Sequence, residues 1–237
     1  MPITARKAPA NRLLASLPRR ESKRLAAGFE AVELEYGKVI YEPDRPIRHV
    51  YFPTSSFISM MIPVDGRTHL EVGLIGDEGM FGAPLALGVA SSPLRALVQG
   101  AGTALRMKAA TFTRELAHCP VLRQALLRYV QVLMSQLAQT AGCTRFHVVE
   151  ERLARWLLMS QDRAHLDQFH VTHEFLAYML GVRRVGVTGA ATALQRRNLI
   201  RYRRGAVTIL DRDGMEAASC GCYQVDRDTY DRLLPAA

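Results

Sequence analysis

The sequence predicts an α+β chain: an N-terminal antiparallel β-roll of jelly-roll type, a long helix, and a C-terminal helix–turn–helix closed by a β-hairpin. Three observations predict it. From Val32 to Met107, short alternating apolar runs are broken by glycine, proline and aspartate, the texture of an antiparallel all-β unit. From Pro120 onward the apolar residues recur at three- and four-residue steps, the period of a helix. Past Thr172, a capped helix, a glycine stop, a second helix and a basic hairpin follow one another.

The elements follow in order. Asn11–Phe29 reads as helix, with Leu13, Leu14, Leu17, Leu25 and Phe29 on its apolar side and an interruption at Pro18. Strands are expected over Val32–Leu34, Val39–Tyr41, Val50–Phe52, Phe57–Ile62, Leu70–Ile75, Leu94–Gln99 and Thr103–Met107. Their breakers include Tyr36-Gly37, Pro43-Asp44, Asp65-Gly66 and Gly76-Asp77. Thr111–Ala117 suits a short helix, and Pro120 fits the first turn of a longer one reaching about Thr140. On that helix Leu122, Leu126, Tyr129, Leu133, Leu137 and Thr140 share a face, while Val130, Val132 and Met134 widen the apolar surface. One side can then pack on the roll and another on a twin helix, although an ordinary core helix gives the same periodicity.

A further helix over about Val148–Ser160 carries Leu153, Trp156 and Leu157 on one side, and Phe169-His170-Val171 is a short strand. Thr172 is a good N-cap for a helix through Leu180. Gly181 stops it and turns the chain into a helix over about Arg183–Arg197. The hairpin Arg201–Leu210 turns at Arg203-Arg204-Gly205. Together these are the parts of a winged helix-turn-helix.

In such a motif the second helix enters the major groove with its N-terminal residues against base edges. That end carries Arg183 and Arg184, with Thr188 and Thr192 on successive turns. An arginine there can donate two hydrogen bonds to guanine, worth roughly 1–3 kcal/mol of discrimination. Val187, Ala191 and Leu194 should face inward. Arg203 and Arg204 are expected on phosphates, and Thr172 and His173 lie where helix-start amides favour a phosphate. The charge supports this placement. The net charge is +9, and of 31 basic residues only Lys7, Lys23, Lys38 and Lys108 are lysine. Between Arg183 and Arg204 there are seven arginines and no acidic residue.

Composition sets further bounds. At 49% hydrophobic and 22% charged residues, the chain is of ordinary globular type with enough apolar mass for real cores. No stretch reaches the roughly 18 consecutive apolar residues of a membrane span, and the first eighteen residues hold no secretory apolar region. The expected compartment is the cytoplasm. Cys119, Cys143, Cys220 and Cys222 do not make a disulfide scaffold, and their spacing fits no common zinc template. Cys220-Gly-Cys222 reads first as incidental, with redox or metal chemistry as the alternative, so no metal or cofactor is expected. No catalytic motif is present, and the chain is not expected to be an enzyme.

Thr172–Ile200 (THEFLAYMLGVRRVGVTGAATALQRRNLI), with NRLLASLP at Asn11–Pro18 and GKVIYEPDRPIRHVYFP at Gly37–Pro53, resembles the CRP/FNR family of bacterial transcription regulators. The resemblance implies a cyclic-nucleotide-binding-like sensor over 10–118, a dimerisation helix and hinge over 119–145, a winged helix-turn-helix over 146–222 and a tail over 223–237. It further implies a homodimer on double-stranded DNA with a two-fold symmetric site, and RNA polymerase as a partner. Two departures stand out. The family's Arg-Glu-x-x-x-Arg reading triplet falls here on Arg184, Val185 and Gly189, so only the first arginine is kept. Gly186 and Gly189 lie inside the helix at about 1 kcal/mol each against alanine, which suggests a close backbone approach to DNA or to a neighbouring helix. In the sensor, the Gly-Glu-Leu run that holds the ribose is Gly82-Ala83-Pro84, and Arg95 is the one arginine near the cyclic-phosphate position. Cyclic AMP is therefore not expected as effector. The oxygen-sensing iron–sulfur variant is not expected either, since no cysteine precedes Cys119. A haem sensor would have to draw on His49, His69 or Cys119, each of which reads more simply as structural. The alternative to a DNA-binding regulator is a small-molecule sensor that acts through protein partners and carries a vestigial DNA module.

Overall fold

Asn11 shows how the N-terminal segment is tied down. Its side-chain oxygen accepts from Leu14 N and its amide donates to Pro53 O and Gly79 O, all in a buried setting. In this computed structural model, which describes residues 11–64, 68–203 and 205–234, the expected N-terminal helix is two pieces, α1 (Arg12–Ala15) and α2 (Arg19–Ala26), separated at Pro18. Proline at position 18 cannot donate to the preceding turn, which ends the first piece.

Each predicted strand is present. β1 (Glu30–Leu34), β7 (Gly102–Lys108) and β3 (His49–Pro53) form one antiparallel sheet in the order β1-β7-β3. β2 (Val39–Tyr41), β6 (Arg95–Gly100), β4 (Phe57–Val64) and β5 (Thr68–Ile75) form a second in the order β2-β6-β4-β5. The Asp65-Gly66 breaker lies outside the described residues. Alternate residues of the two sheets, including Leu34, Tyr51, Ile58, Ile75 and Val98, meet in a common core, as period-2 strands require.

α3 (Ala109–Ala117) leads into α4 (Pro120–Phe146), whose first residue is the expected proline. At 27 residues, α4 is about 40 Å long. Leu122, Leu126, Tyr129 and Val132 are buried against the roll, α1 and α3, with Val130 and Leu133 packed at the edge of that core, while Leu127, Met134 and Leu137 lie on another side, exposed. The wide apolar surface of α4 is thus divided between two faces. α5 (Val149–Ala164) follows an extended break at His147-Val148. Then come β8 (Gln168–His170), α6 (His173–Leu180), α7 (Arg184–Arg196), β9 (Ile200–Arg203), β10 (Ala206–Ile209) and α8 (Arg212–Ala218). The small sheet runs β8-β10-β9.

One expectation is corrected. Residues 223–237 read as a tail, yet Cys222–Leu233 is a helix, α9, packed along α4. Its buried face consists of Cys222, Tyr223, Asp226, Thr229 and Tyr230. That face is too polar to show as an amphipathic stripe in the sequence, and its buried Asp226 carboxylate accepts from the Arg155 guanidinium at 2.6 Å.

Candidate nucleic-acid interface

The helix pair is built from its caps and its buried face. Thr172 Oγ1 accepts from Phe175 N at 3.1 Å and starts α6. Gly181 ends it in the left-handed region at φ +62°, with the N–H bonds of a helix stop. A Cβ at that position would come within 2.8 Å of Leu70 Cδ1, so conformation and space both favour glycine. Val187, Ala190, Ala191 and Leu194 seat α7 in a core shared with Leu153, Leu157, Leu176 and Val207. The opposite side of α7 presents Arg184, Val185, Thr188 and Gly189 to solvent, with Arg183 as N-cap at the open end. Val185 is 75% exposed, which for a valine marks a position with no partner inside the protein.

Several expected residues meet at this end. His173 Nδ1 lies 3.1 Å from Thr188 Oγ1, and its ring packs on Tyr202 with centroids 4.4 Å apart. Burial, and then the nearby charge of Arg184, lowers the His173 pKa, which keeps the ring neutral near pH 7. Thr188 Oγ1 also donates to Arg184 O, and Thr192 Oγ1 donates to Thr188 O. Both threonines therefore have their hydroxyl protons engaged within the helix, and His173 braces the start of α7. Tyr202, which sequence reasoning missed, holds the wing: its hydroxyl donates to Val171 O, and its N–H donates to Gln195 Oε1 at 2.9 Å. Its signal in the sequence was an aromatic on a strand flanked by arginines.

Arg203 is exposed at the end of β9, beside the exposed Arg201; Arg204 lies outside the described residues. Arg197 pairs with Glu150 at 3.1 Å. Among the described residues, Arg183, Arg184, Arg201 and Arg203 have no carboxylate partner. The two glycines of α7 differ. A Cβ on Gly186 would be in ordinary contact with Val149 Cγ2 at 3.9 Å, whereas one on Gly189 would meet nothing within 4 Å. Close packing of a neighbouring helix therefore explains neither glycine.

The sensor candidates occupy a different region. Gly82 has φ +100° and approaches β3 so closely that a Cβ would lie 2.7 Å from Val50 Cγ1. Ala83 is buried, and Pro84 lies in the short 3-10 turn Ala83–Leu87. Arg95 pairs with Glu42 at 2.7 Å at the exposed rim. Tyr41, Tyr51 and Phe81 stack on one another inside the roll, with centroids 5.2 and 6.2 Å apart. The haem candidates are scattered: His69 Nδ1 bonds Tyr178 of α6, Cys119 is buried at the start of α4, and His49 begins β3.

Two buried carboxylates join the roll to the helical half. Glu71 of β5 accepts from Ser59 Oγ at 2.7 Å and from Trp156 Nε1 of α5 at 2.8 Å. Arg163 at the end of α5 pairs with Glu78 at 2.7 Å. A third meeting was not legible from spacing: Cys143, His147, Cys220 and Cys222 place one ligand atom each within 4.8 Å of one another.

Comparison with known proteins agrees with this architecture. Residues 151–218 match the Crp-like helix-turn-helix domain. No curated protein matches the chain in sequence. The fold is similar to that of a putative CRP/FNR-family transcriptional regulator from Eubacterium rectale, at TM-score 0.67 and 16% identity over 87% of this chain and 96% of that one. It is also similar to the c-di-GMP responsive global regulator CLP of Xanthomonas campestris (TM-score 0.66, 16% identity, 82% and 100% covered). A third likeness is to FixK2 of Bradyrhizobium japonicum (TM-score 0.66, 12% identity, 81% and 98% covered). The chain carries a Crp-like helix-turn-helix domain within the fold of the CRP/FNR transcription regulators.

Proposed function

We propose that the protein is a sequence-selective, double-stranded-DNA-binding transcription regulator of the CRP/FNR type that works as a homodimer and is not gated by cyclic AMP. The observation that carries the reading is the pair Arg183 and Arg184, solvent-exposed and without a carboxylate partner at the open end of a helix whose other face is fully buried. Arginines in that position suit bidentate donation to guanine, and Arg203 on the adjacent hairpin suits a phosphate. Thr188, Thr192 and His173 support the helix start and leave base contact mainly to the arginines. The exposed apolar side of α4, with Leu127, Met134 and Leu137 at seven- and three-residue spacing, suits a second copy of the same helix.

Independence from cyclic AMP rests on the roll. Where a ribose acceptor would stand, the chain has the buried Ala83, and Arg95 is already neutralised by Glu42. RNA polymerase is the partner that the reading implies, and the cytoplasm is the matching compartment; among the described residues no helix is long and apolar enough to cross a membrane. Selection of bound duplexes from a random pool tests the function: a two-fold symmetric site should be enriched without added cyclic nucleotide. Arg184→Ala should then abolish discrimination at one base pair of each half-site. Failure to enrich any site would favour a sensor acting through protein partners.

A further inference from the structure

We propose that Cys143, His147, Cys220 and Cys222 form a closed tetrahedral site for one zinc-type divalent ion, which clamps the hinge between the long helix α4 and the DNA-binding half. Cys143 lies in the last turn of α4, and His147, the C-cap four residues on, donates its backbone N–H to Cys143 O. Cys220 lies in the turn between α8 and α9, and Cys222, beyond Gly221, is the first residue of α9. Cys143 Sγ lies 3.5 Å from Cys220 Sγ, and Cys222 Sγ lies 3.4 Å from His147 Nδ1. Metal–sulfur and metal–nitrogen lengths of about 2.3 and 2.0 Å put tetrahedral ligand atoms about 3.5–3.8 Å apart. The greatest separation, 4.8 Å, leaves room for a single ion and is short for the four corners of an iron–sulfur cube.

Two further observations point to a ligand. Gln139 Nε2, one turn before Cys143 on the same face, donates to Cys222 Sγ at 2.8 Å, the kind of outer contact that orients a metal-bound thiolate. Arg152 is buried and, among the described residues, bonds a carbonyl (Leu180 O) and no carboxylate. It lines with Cys143 and Arg155 a cavity of about 40 Å³, and Arg155 is already paired with Asp226. Three thiolates and one imidazole around a divalent cation carry a net charge of −1, which gives the Arg152 guanidinium the counter-charge that a buried cation needs. All three cysteines are buried and the ligand set is complete, so the site is structural rather than catalytic.

Its place in the fold sets its consequence. His147 is the C-cap of α4, and Val148 is the N-cap of α5, so the ion would hold the junction between the long helix and the winged domain. That consequence for DNA rests on the proposed function; the site itself does not.

The full-length protein, purified without chelators, is expected to contain one zinc per chain by elemental mass spectrometry. Cobalt substitution is expected to give tetrahedral visible bands with thiolate charge transfer. Cys222→Ser and His147→Ala should reduce the content to near zero, His147→Cys should restore it, and Cys119→Ser should leave it at one. Chelation should raise amide hydrogen exchange around residues 143–150 and 219–223. Folded protein free of metal, a Cys143–Cys220 disulfide in its place, iron with acid-labile sulfide, or exchange that ignores the chelator would each overturn the proposal. Because metal content is read without DNA, a protein that binds the ion but selects no duplex refutes the DNA reading alone.

Discussion

The indole N–H of Trp156 donates to Glu71 Oε1 across 2.8 Å, so a side chain of α5 in the helix-turn-helix half completes the hydrogen bonding of a carboxyl group in the β-roll. Burial pushes the Glu71 carboxyl up to about 7, against the opposing effects of the Ser59 and Trp156 hydrogen bonds and of Arg163 and Arg155. The folded state therefore holds this proton over a range in which the unfolded chain has lost it. Stability attributable to the group is fully present below about pH 4.5 and declines as pH rises toward 7.

Glu71→Gln keeps the shape and removes the charge. Melting temperatures measured from pH 5 to pH 8 should show little change at the acid end. At pH 8 the variant should gain stability on the order of 3 kcal/mol. A variant that follows the parent at every pH would show that the carboxyl does not titrate in this range.

Arg163 and Glu78 are each 8% exposed at the side chain and lie 2.7 Å apart. Arg163→Met alone leaves a buried carboxylate without its cation, at a cost of about 3–5 kcal/mol. The double variant Arg163→Met/Glu78→Gln should recover much of that loss, and denaturant titration of the parent, the two single variants (Arg163→Met and Glu78→Gln) and the double gives the coupling.

At Gly189, alanine should stabilise α7 by up to about 1 kcal/mol, since its Cβ meets nothing in the protein. If the backbone there approaches DNA closely, the same variant should weaken binding to the selected site several-fold while its melting temperature rises. Unchanged affinity would remove the close-approach role and leave Gly189 as a plain departure from the family's arginine.

On α4, Leu127 is 44% and Met134 59% exposed. Leu127→Glu/Met134→Glu should convert a dimer to a monomer in sedimentation, with the helical spectrum retained. A parent protein that sediments as a monomer at micromolar concentration would overturn the dimer.

The division of labour between sequence and tertiary structure follows from the range of each interaction. Strand alternation from Val32 to Met107, Pro120 at the start of α4, and the Thr172 cap and Gly181 stop are local chemistry. Each element was therefore legible before its neighbours were known, and so was the arginine pair at the head of α7. The period of α4 was also visible, but only packing decided that Leu122, Leu126 and Tyr129 turn to the roll while Leu127 and Met134 do not. Helix α9 was missed because its buried side is made of tyrosines, threonine and an aspartate whose stability depends on Arg155, 71 positions away. Cys143 and Cys220 are 77 positions apart, and no spacing rule spans a distance that only the fold closes. Local propensity determined the elements and the exposed arginine edge of α7; tertiary contact decided which polar and sulfur groups meet in the interior, because there the energy depends on a partner contributed by another part of the chain.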